Sequence, residues 1–386
     1  MAKLGMPDVI VSFEETGIAA IERSKRGIAA LILEEPKATI SKLLTDHIGT
    51  TSEQIKAISN PFTVYTTDDI PSELTEKNRD YIEKCLKGYV TTPYRVKVYL
   101  QESESEASGA NKWDASLKVL ATDRFDYLAI PTIESDAVDT VSTWVKTNRE
   151  NKHKKIKAVL PGCAADYEGI VNFSNKTIKT AAASYTPAEY CARVAGIICG
   201  TPMTISATYA PLPEVVDCDK YDLDENDEKV NKGEFFIWYD GTKYKMSRGV
   251  NSLVTTTQGK QEGYQTIKIV DVMDMIYDDI RTTAQDSYIG KYTNDYDNKC
   301  LLITAITGYL KQLEAERILQ RDYSKVEIDV EAVKNYQLSN GYYTQEELAE
   351  MSDLEIKKLD TKKKVFLKGR IKILDAMEDI ILPFDI

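Results

Sequence analysis

The sequence predicts a mixed α/β protein of several domains, with an α/β body, a mostly helical C-terminal unit and an extended β-strand arm at each end. Three observations predict this class. Short apolar runs alternate with segments of helical spacing between residues 28 and 200, which is typical of a largely parallel sheet covered by helices. Helix-period apolar positions dominate 270–338. Finally, 8–13 and 364–374 alternate at period two, as strands do.

The first part of the body is a small α/β unit. The apolar run 28–33 predicts a buried strand, and a second strand is expected at 62–65. A helix over 73–87 and a strand over 94–100 follow. The polar, Ser- and Glu-rich stretch 101–109 then reads as a connector that ends this unit.

The alternation of helices and strands resumes after this connector. We expect a helix that ends near 121, then strand 127–130, helix 135–149, strand 156–160 and helix 187–199. Gly200 and Pro202 supply a stop signal for the last of these helices.

The C-terminal half begins with a hairpin and then becomes helical. Asp240-Gly241 predicts a tight turn within a hairpin over 234–247, because glycine and aspartate tolerate positive φ. Helices are expected over about 270–286, around 302–313 and over 329–338, and a short polar one over 344–359.

Both termini read as strands that have no obvious partner within the chain. Their unpaired backbone groups would be satisfied by strand addition to another copy. The predicted intersubunit strand residues are Val9, Ile10, Val11, Phe13, Val365, Phe366, Leu367, Ile371 and Ile373. The alternative is that both strands complete the chain's own sheet.

Charge and hydropathy exclude several classes of protein. Over 386 residues, 49 lysines and arginines face 61 acids, which gives a net charge of −12. This balance argues against nonspecific binding to nucleic acid or anionic lipid. We expect no membrane span and no signal peptide, and therefore a soluble protein that is assembled in the cytosol.

The sequence shows no motif typical of catalysis or of metal binding, and we expect no cofactor. The six cysteines form no CxxC pair, and the two histidines, His47 and His153, lie in polar stretches. Phosphate-binding glycine loops, nucleophile elbows and HExxH are missing from the sequence. The acidic stretch 217–228 lacks the glycine and the final glutamate of a calcium loop, and is expected to be a solvated loop that leads into a helix. An α/β enzyme with a Rossmann-like sheet is the alternative from another class.

Several stretches, in order along the chain, resemble one known family. They are Glu22-Arg-Ser-Lys-Arg-Gly-Ile-Ala-Ala-Leu-Ile, then 159–173, 190–202, 248–253, 278–283, 294–299, and 364–367 with 375–379. They are similar to the contractile tail sheath proteins of myophage-like tails and R-type bacteriocins. This resemblance covers nearly the whole chain.

The resemblance implies a mechanical function without catalytic residues. Sheath subunits stack around a rigid tail tube, and the sheath contracts on a baseplate signal to drive the tube through a bacterial cell envelope. The implied partners are other copies of the chain, the tube protein and baseplate proteins. Such a subunit is assembled in the bacterial cytoplasm as part of a virion tail or of a released bacteriocin particle.

The combined reading divides the chain into five parts. They are an N-terminal arm at 1–24, a small α/β domain at 25–108, a central α/β domain at 109–262, a helical tube-proximal domain at 263–360 and a C-terminal arm at 361–386.

Two sets of charged residues are candidate contacts. Lys368, Arg370 and Lys372 could attract acidic surface on a neighbour, with Glu14 and Glu15 as candidates, or on the tube; alternatively, these basic residues only discourage wrong strand pairing. The candidate tube-facing charges are Asp278, Asp279, Lys311, Glu314 and Arg317, unless they are merely solvated.

Overall fold

The fold was obtained as a computed structural model, which describes residues 20–45, 59–103, 109 and 112–385. The chain divides into two compact units. We call 24–278 with 373–386 the body, and 279–372 with 1–23 the C-terminal unit. The predicted N-terminal strand with Val9, Ile10, Val11 and Phe13, the charges Glu14 and Glu15, and His47 lie outside the described residues.

A seven-stranded sheet forms the centre of the body. The body's strands are β1 Ile28–Glu35, β2 Phe62–Val64, β3 Arg95–Glu102, β4 Tyr127–Ala129, β5 Lys157–Pro161, β6 Ile170–Phe173, β7 Ile178–Thr180, β8 Ser184–Tyr185, β9 Val215–Cys218, β10 Glu234–Phe235, β11 Ile237–Tyr239 and β12 Tyr244–Met246. The order in the large sheet is β10-β6-β5-β4-β1-β3-β2. All neighbours in it are parallel except β2 and β3, so the predicted largely parallel sheet is confirmed.

Helices cover both faces of this sheet. The helices that begin in the body are α1 Lys37–Thr45, α2 Glu76–Leu86, α3 Asp114–Leu120, α4 Ser135–Glu150, α5 Pro187–Cys199, α6 Leu223–Asn231 and α7 Ile267–Thr283, of which α6 buries no residue. Ala29, Leu31 and Leu33 of β1 are buried with α2 and α5, whereas the alternating residues of β1 are buried with α3 and α4. Because β1 is covered on both faces, its sequence is a continuous apolar run.

The strands on both sides of the predicted boundary at 108/109 belong to one sheet. β1 is hydrogen-bonded to β3 on one side and to β4 on the other, so 25–108 and 109–262 share one sheet and one body. The boundaries at 262/263 and 360/361 also differ from the structure, where the units divide at 278/279 and 372/373. A polar connector in the sequence does not separate domains when the strands on either side of it pair with the same third strand.

Glycines in α5 allow close approach of two backbones. A Cβ at Gly196 would lie 2.0 Å from the Cys85 carbonyl oxygen of α2. Gly200 ends α5 as predicted, but with φ of −91°, outside the left-handed region. Its hydrogen is required because a Cβ would meet the Thr91 carbonyl oxygen at 2.2 Å. The predicted end of the helix at Gly200 is therefore confirmed, but glycine is required there for close packing and not for a positive φ.

The predicted hairpin and the loop-to-helix transition are both present. β11 and β12 pair antiparallel around Gly241, whose φ is +92°, and Asp240 Oδ1 accepts from the N–H groups of Thr242 and Lys243. Glu234 and Phe235, the first two residues of the predicted hairpin range, instead form β10 at the edge of the large sheet. The acidic stretch leads into α6, which Asp222 caps by accepting from the Glu225 N–H. β7 pairs with β8 and β9 in a separate small sheet.

The C-terminal unit is mostly helical around a small core. Its elements are α8 Tyr296–Ala315, β13 Lys325–Ile328, α9 Val330–Ser339, α10 Gln345–Glu350, α11 Asp353–Lys358 and β14 Leu367–Arg370. The fourth predicted helix is thus two short helices, because Ser352 begins a new one by capping it. β13 and β14 pair antiparallel over a core of Ile328, Val330, Val333 and Ile356. Among the described residues, no helix is long and apolar enough to cross a bilayer.

Candidate assembly surfaces and the buried charges behind them

Buried charges fix helix α7 to the sheet of the body. Arg149 from the end of α4 contacts Asp274 with both terminal nitrogens, at 2.8 and 3.1 Å. Lys157, the first residue of β5, donates to the same carboxylate at 2.8 Å and also lies 3.1 Å from Asp271. Lys157 is only 2% exposed. A single carboxylate on α7 therefore bridges two buried cations, and Asp271 supplies a second negative charge beside Lys157.

The same network continues to the residues before β1 and β4. The Arg26 guanidinium contacts Asp126 at 2.7 Å and Asp278 at 2.9 Å, and it donates to the Asp274 carbonyl oxygen. Asp126 also accepts from the Ile28 N–H at 2.8 Å. These groups precede or begin parallel strands, so the network lies at the amino edge of the sheet. Ligands of open α/β enzymes bind at the opposite, carboxyl edge.

The electrostatics fit a structural network. Burial favours a neutral Asp274, but Lys157 and Arg149 outweigh it and hold the pKa of Asp274 below its ordinary value. At Asp271 burial wins over the attraction of Lys157, so the pKa of Asp271 is raised. The group that bridges two cations thus stays ionised, as a fixed electrostatic anchor must.

Sequence reasoning missed this network. Lys157 lies in the expected strand 156–160 but follows other lysines, and Arg149 and Asp274 lie in segments that carry other charges, so none of the three stands out in the sequence. One signal was available: Asp271, Asp274 and Asp278 recur at i, i+3 and i+7, which places three acids on one face of α7.

The predicted tube-facing acids are largely enclosed. Asp279 is fully buried and accepts from the Tyr309 hydroxyl at 2.7 Å, with Arg23 Nε 3.9 Å away. Asp278 is half-buried against Arg26. The expectation that these two are exposed is wrong, because each carboxylate is held by hydrogen bonds and ion pairs within its own unit.

Glu314 is also buried, and it organises a loop. It is 3% exposed and accepts from the N–H groups of Asp322 at 3.0 Å and Ser324 at 2.9 Å. Although burial opposes the charge, hydrogen bonds from Ser324 and Lys311 lower the pKa of Glu314 to about 2. Its predicted exposure is wrong for the same reason. Lys311 and Arg317 are exposed as expected, and their contact with the tube stays a prediction.

The expectation that 364–374 lacks a partner within the chain is wrong for its central residues. Leu367 to Arg370 form β14, in register with Ile328 to Lys325 of β13. Lys368 faces Glu327, with Nζ 3.8 Å from Oε1. Phe366 packs on Tyr336, whereas Val365 is exposed and Ile371 and Ile373 are half-buried. No alternation in one strand could reveal a partner some forty positions away.

Pairing of β14 with another copy stays a prediction. In the part of the chain that the structure describes, β13 and β14 form a two-stranded sheet, so each strand keeps an outer edge that no described strand occupies. Such an edge carries backbone groups available to a further strand.

The last residues of the body form an exposed apolar tail. Arg248 pairs with Glu378 at 3.2 Å and with Asp379, and Lys268 Nζ donates to the Leu374 carbonyl oxygen at 2.6 Å. Beyond this anchor, large apolar side chains face solvent, and Ile381 is 92% exposed. The tail comprises Ile380, Ile381, Leu382 and Phe384, and Met377, just before the anchor, is exposed as well. Contiguous exposed apolar residues of this kind mark an interaction surface.

Comparison with known proteins agrees with this architecture. Residues 106–252 match the phage tail sheath protein central domain, and residues 260–386 match the phage tail sheath C-terminal domain. The tail sheath protein of Clostridium phage phiCD119 is 35% identical over 380 residues, covering 97% of this chain and 98% of that protein.

Solved sheath structures share the fold. The helical sheath of the anti-feeding prophage in its contracted state has a TM-score of 0.68 at 14% identity, covering 99% of both chains. The sheath tail protein of Desulfitobacterium hafniense has a TM-score of 0.66 at 17% identity, covering 83% of this chain and 94% of that one. The predicted mixed α/β class is confirmed, and the match along the full length shows that this chain belongs to the phage tail sheath protein family.

Proposed function

We propose that this chain is the subunit of a contractile sheath that polymerises around an inner tail tube and shortens to drive the tube through a bacterial cell envelope. The observation that carries the proposal is the 35% identity to a phage tail sheath protein over 97% of the chain. The proposed partners are other copies of the chain, the tube protein and baseplate proteins. Assembly takes place in the bacterial cytoplasm, and the product is a virion tail or an R-type bacteriocin particle.

Contraction in this proposal draws its work from contacts between subunits rather than from chemistry. Within the described residues, no group of three or more histidines, cysteines or acids could hold a metal. Burial raises the pKa of Cys85 to about 12 and the pKa of Cys199 well above its ordinary value, so these thiols are poor nucleophiles. The alternative of a Rossmann-like enzyme has no observation in its favour.

The proposed links between copies use the chain ends. The outer edge of β14 can accept a strand, and residues 8–13 of another copy have the alternation of a strand. The tail beyond Asp379 offers a second link, because its apolar side chains gain about 25 cal/mol for each Å² of apolar surface that a neighbour covers. Lys311 and Arg317 are the exposed candidates for the tube, where charged contacts suit a surface that must later release.

Polymerisation of the purified full-length chain tests this proposal. Electron microscopy of negatively stained samples, with and without the tube protein from the same source, should show tubes of uniform diameter. Deletion of 1–15 should leave a folded protein that forms no tubes. A chain that remains monomeric at high concentration with tube protein present would contradict the proposal.

A further inference from the structure

One face of the β13–β14 sheet carries an excess of positive charge. Lys325 pairs with Arg370 in the register and Glu327 pairs with Lys368, so all four side chains project from the same face. We call these four residues the basic ribbon. Ile328 and Leu367 point to the opposite side, where they join the small core. The basic ribbon therefore faces solvent with three cations and one anion.

The cations of the basic ribbon are only partly neutralised by the acid between them. Lys325 lies 2.7 Å and Lys368 lies 3.8 Å from the same Glu327 carboxylate, so two lysines share one charge. The Arg370 guanidinium lies over the Tyr323 ring at 5.3 Å, which orients it without cancelling its charge. Both lysine side chains are about half exposed. The face retains a net positive charge in a protein whose net charge is −12.

Helix α6 of the body carries the opposite charge. Asp224, Asp227 and Glu228 recur at i, i+3 and i+4, so they share one exposed face of the helix. Glu228 pairs with Lys232 at 2.6 Å, whereas no ion pair among the described residues involves Asp224 or Asp227. Leu223, at the start of the helix, is 72% exposed.

We propose that α6 of one copy lies along the basic ribbon of a second copy, with Asp224 and Asp227 facing Lys368 and Arg370. This inference rests on the proposed homopolymer. The two surfaces also match in length: nine residues of helix span about 13 Å, and four residues of strand span about 13 Å. Leu223 would contact the exposed Tyr323 ring beside Arg370. A single exposed ion pair stabilises an interface only weakly, but a polymer repeats it at every subunit.

This pairing differs from a gatekeeping role for the same lysines. If the basic ribbon only discourages wrong strand pairing, its partner is solvent, and reversal of its charge leaves correct assembly intact. If it binds α6, reversal of either surface weakens assembly, and reversal of both restores it.

Charge exchange tests the pairing. We expect Lys368→Glu with Arg370→Glu, and separately Asp224→Lys with Asp227→Lys, each to reduce sedimenting polymer at low salt by roughly tenfold. The chain with all four substitutions should polymerise within about twofold of the unchanged protein. Matched controls with the same charge change, Lys118→Glu with Lys152→Glu and Glu346→Lys with Glu350→Lys, should assemble normally. Unfolding temperatures establish that every variant folds.

Crosslinking identifies the copy that supplies each surface. Polymers are made from equal amounts of ¹⁴N- and ¹⁵N-labelled chain and treated with a carbodiimide, which joins carboxylates to lysine amines. Links from Asp224 or Asp227 to Lys368 or Lys325 should combine the two labels. Any one of three results would overturn the inference. They are crosslinks that never combine the two labels, normal polymer from both charge-reversed variants, and failure of the variant with all four substitutions to polymerise. Failure of the unchanged chain to polymerise would instead contradict the proposed function.

Discussion

The body and the C-terminal unit stabilise buried carboxylates with different partners. In the body, Asp274 is held by two buried cations, Arg149 and Lys157. In the C-terminal unit, Glu314 is held mainly by backbone N–H groups and by Lys311, which is half exposed. An ion pair network fixes a helix to a sheet, whereas backbone donors shape a loop. The difference teaches that each acid has its own local role, and that neither is available as a contact surface.

Removal of the anchor in the body should have the largest effect. Asp274→Asn removes the carboxylate that the buried Arg149 and Lys157 share, and leaves each cation with one remaining acid, Glu168 at 4.0 Å and Asp271 at 3.1 Å. Because a buried pair is broken, we expect the free energy of unfolding to fall by about 3–5 kcal/mol. Thermal and urea unfolding measure this change. Asp224→Asn, on the exposed face of α6, is the control and should stay within about 0.5 kcal/mol. A loss as small as that of the control would show that the network does not hold α7.

Neutralisation of Glu314 should cost less and should depend on pH. Glu314→Gln weakens two charge-assisted hydrogen bonds, and we expect a loss of about 1.5–3 kcal/mol at pH 7. Because the pKa of Glu314 is lowered in the folded state, its contribution is fully present above the ordinary value of 4.5 and disappears as the pH falls towards about 2.

The unfolding temperatures of the unchanged chain and of Glu314→Gln should therefore converge between pH 4.5 and pH 2. Glu331→Gln, an exposed acid in α9, serves as the control and should show little difference at any pH. A gap that stays constant across this range would contradict the assignment of Glu314 as an ionised loop anchor.

The hydrogen bond from Tyr309 to Asp279 should contribute less again. Tyr309→Phe removes one donor from a buried carboxylate that also lies near Arg23, so we expect a loss of about 0.5–1.5 kcal/mol in urea unfolding. Tyr323→Phe, at an exposed ring, is the matched control. Equal stability of the two variants would show that the hydrogen bond from Tyr309 to Asp279 does not stabilise the fold.

Truncation of the tail should change stability least and assembly most. Deletion of 380–386 removes mainly exposed side chains, so the unfolding free energy should change by less than about 0.5 kcal/mol. Tube formation should be lost, because the tail is proposed to bind a neighbour. Replacement of Ile380, Ile381, Leu382 and Phe384 with serine keeps the chain length and should abolish tubes in the same way. Normal tubes from the truncated protein would show that the tail is not needed for assembly.

Sequence patterns predicted the strands and helices of the body far better than they predicted the partners of its charged residues. The apolar run of β1 and the helical spacing of α4 reflect burial on the large sheet, and burial leaves a periodic signal along the chain. The pairing of β14 with β13 leaves none, because the partners are distant in sequence and short. Glu314 was expected at the surface because long charged side chains usually are, and nothing in the strand pattern of 156–160 marks Lys157 as the partner of a buried acid. Only their three-dimensional neighbours reveal both roles.

The most direct test is a helical reconstruction of the assembled polymer by cryo-electron microscopy at side-chain resolution. The account predicts that Ile380–Phe384 and the basic ribbon both contact neighbouring subunits, while the Arg149–Asp274 pair remains intact inside each body. A polymer in which the tail packs on its own body and the basic ribbon faces solvent would contradict it.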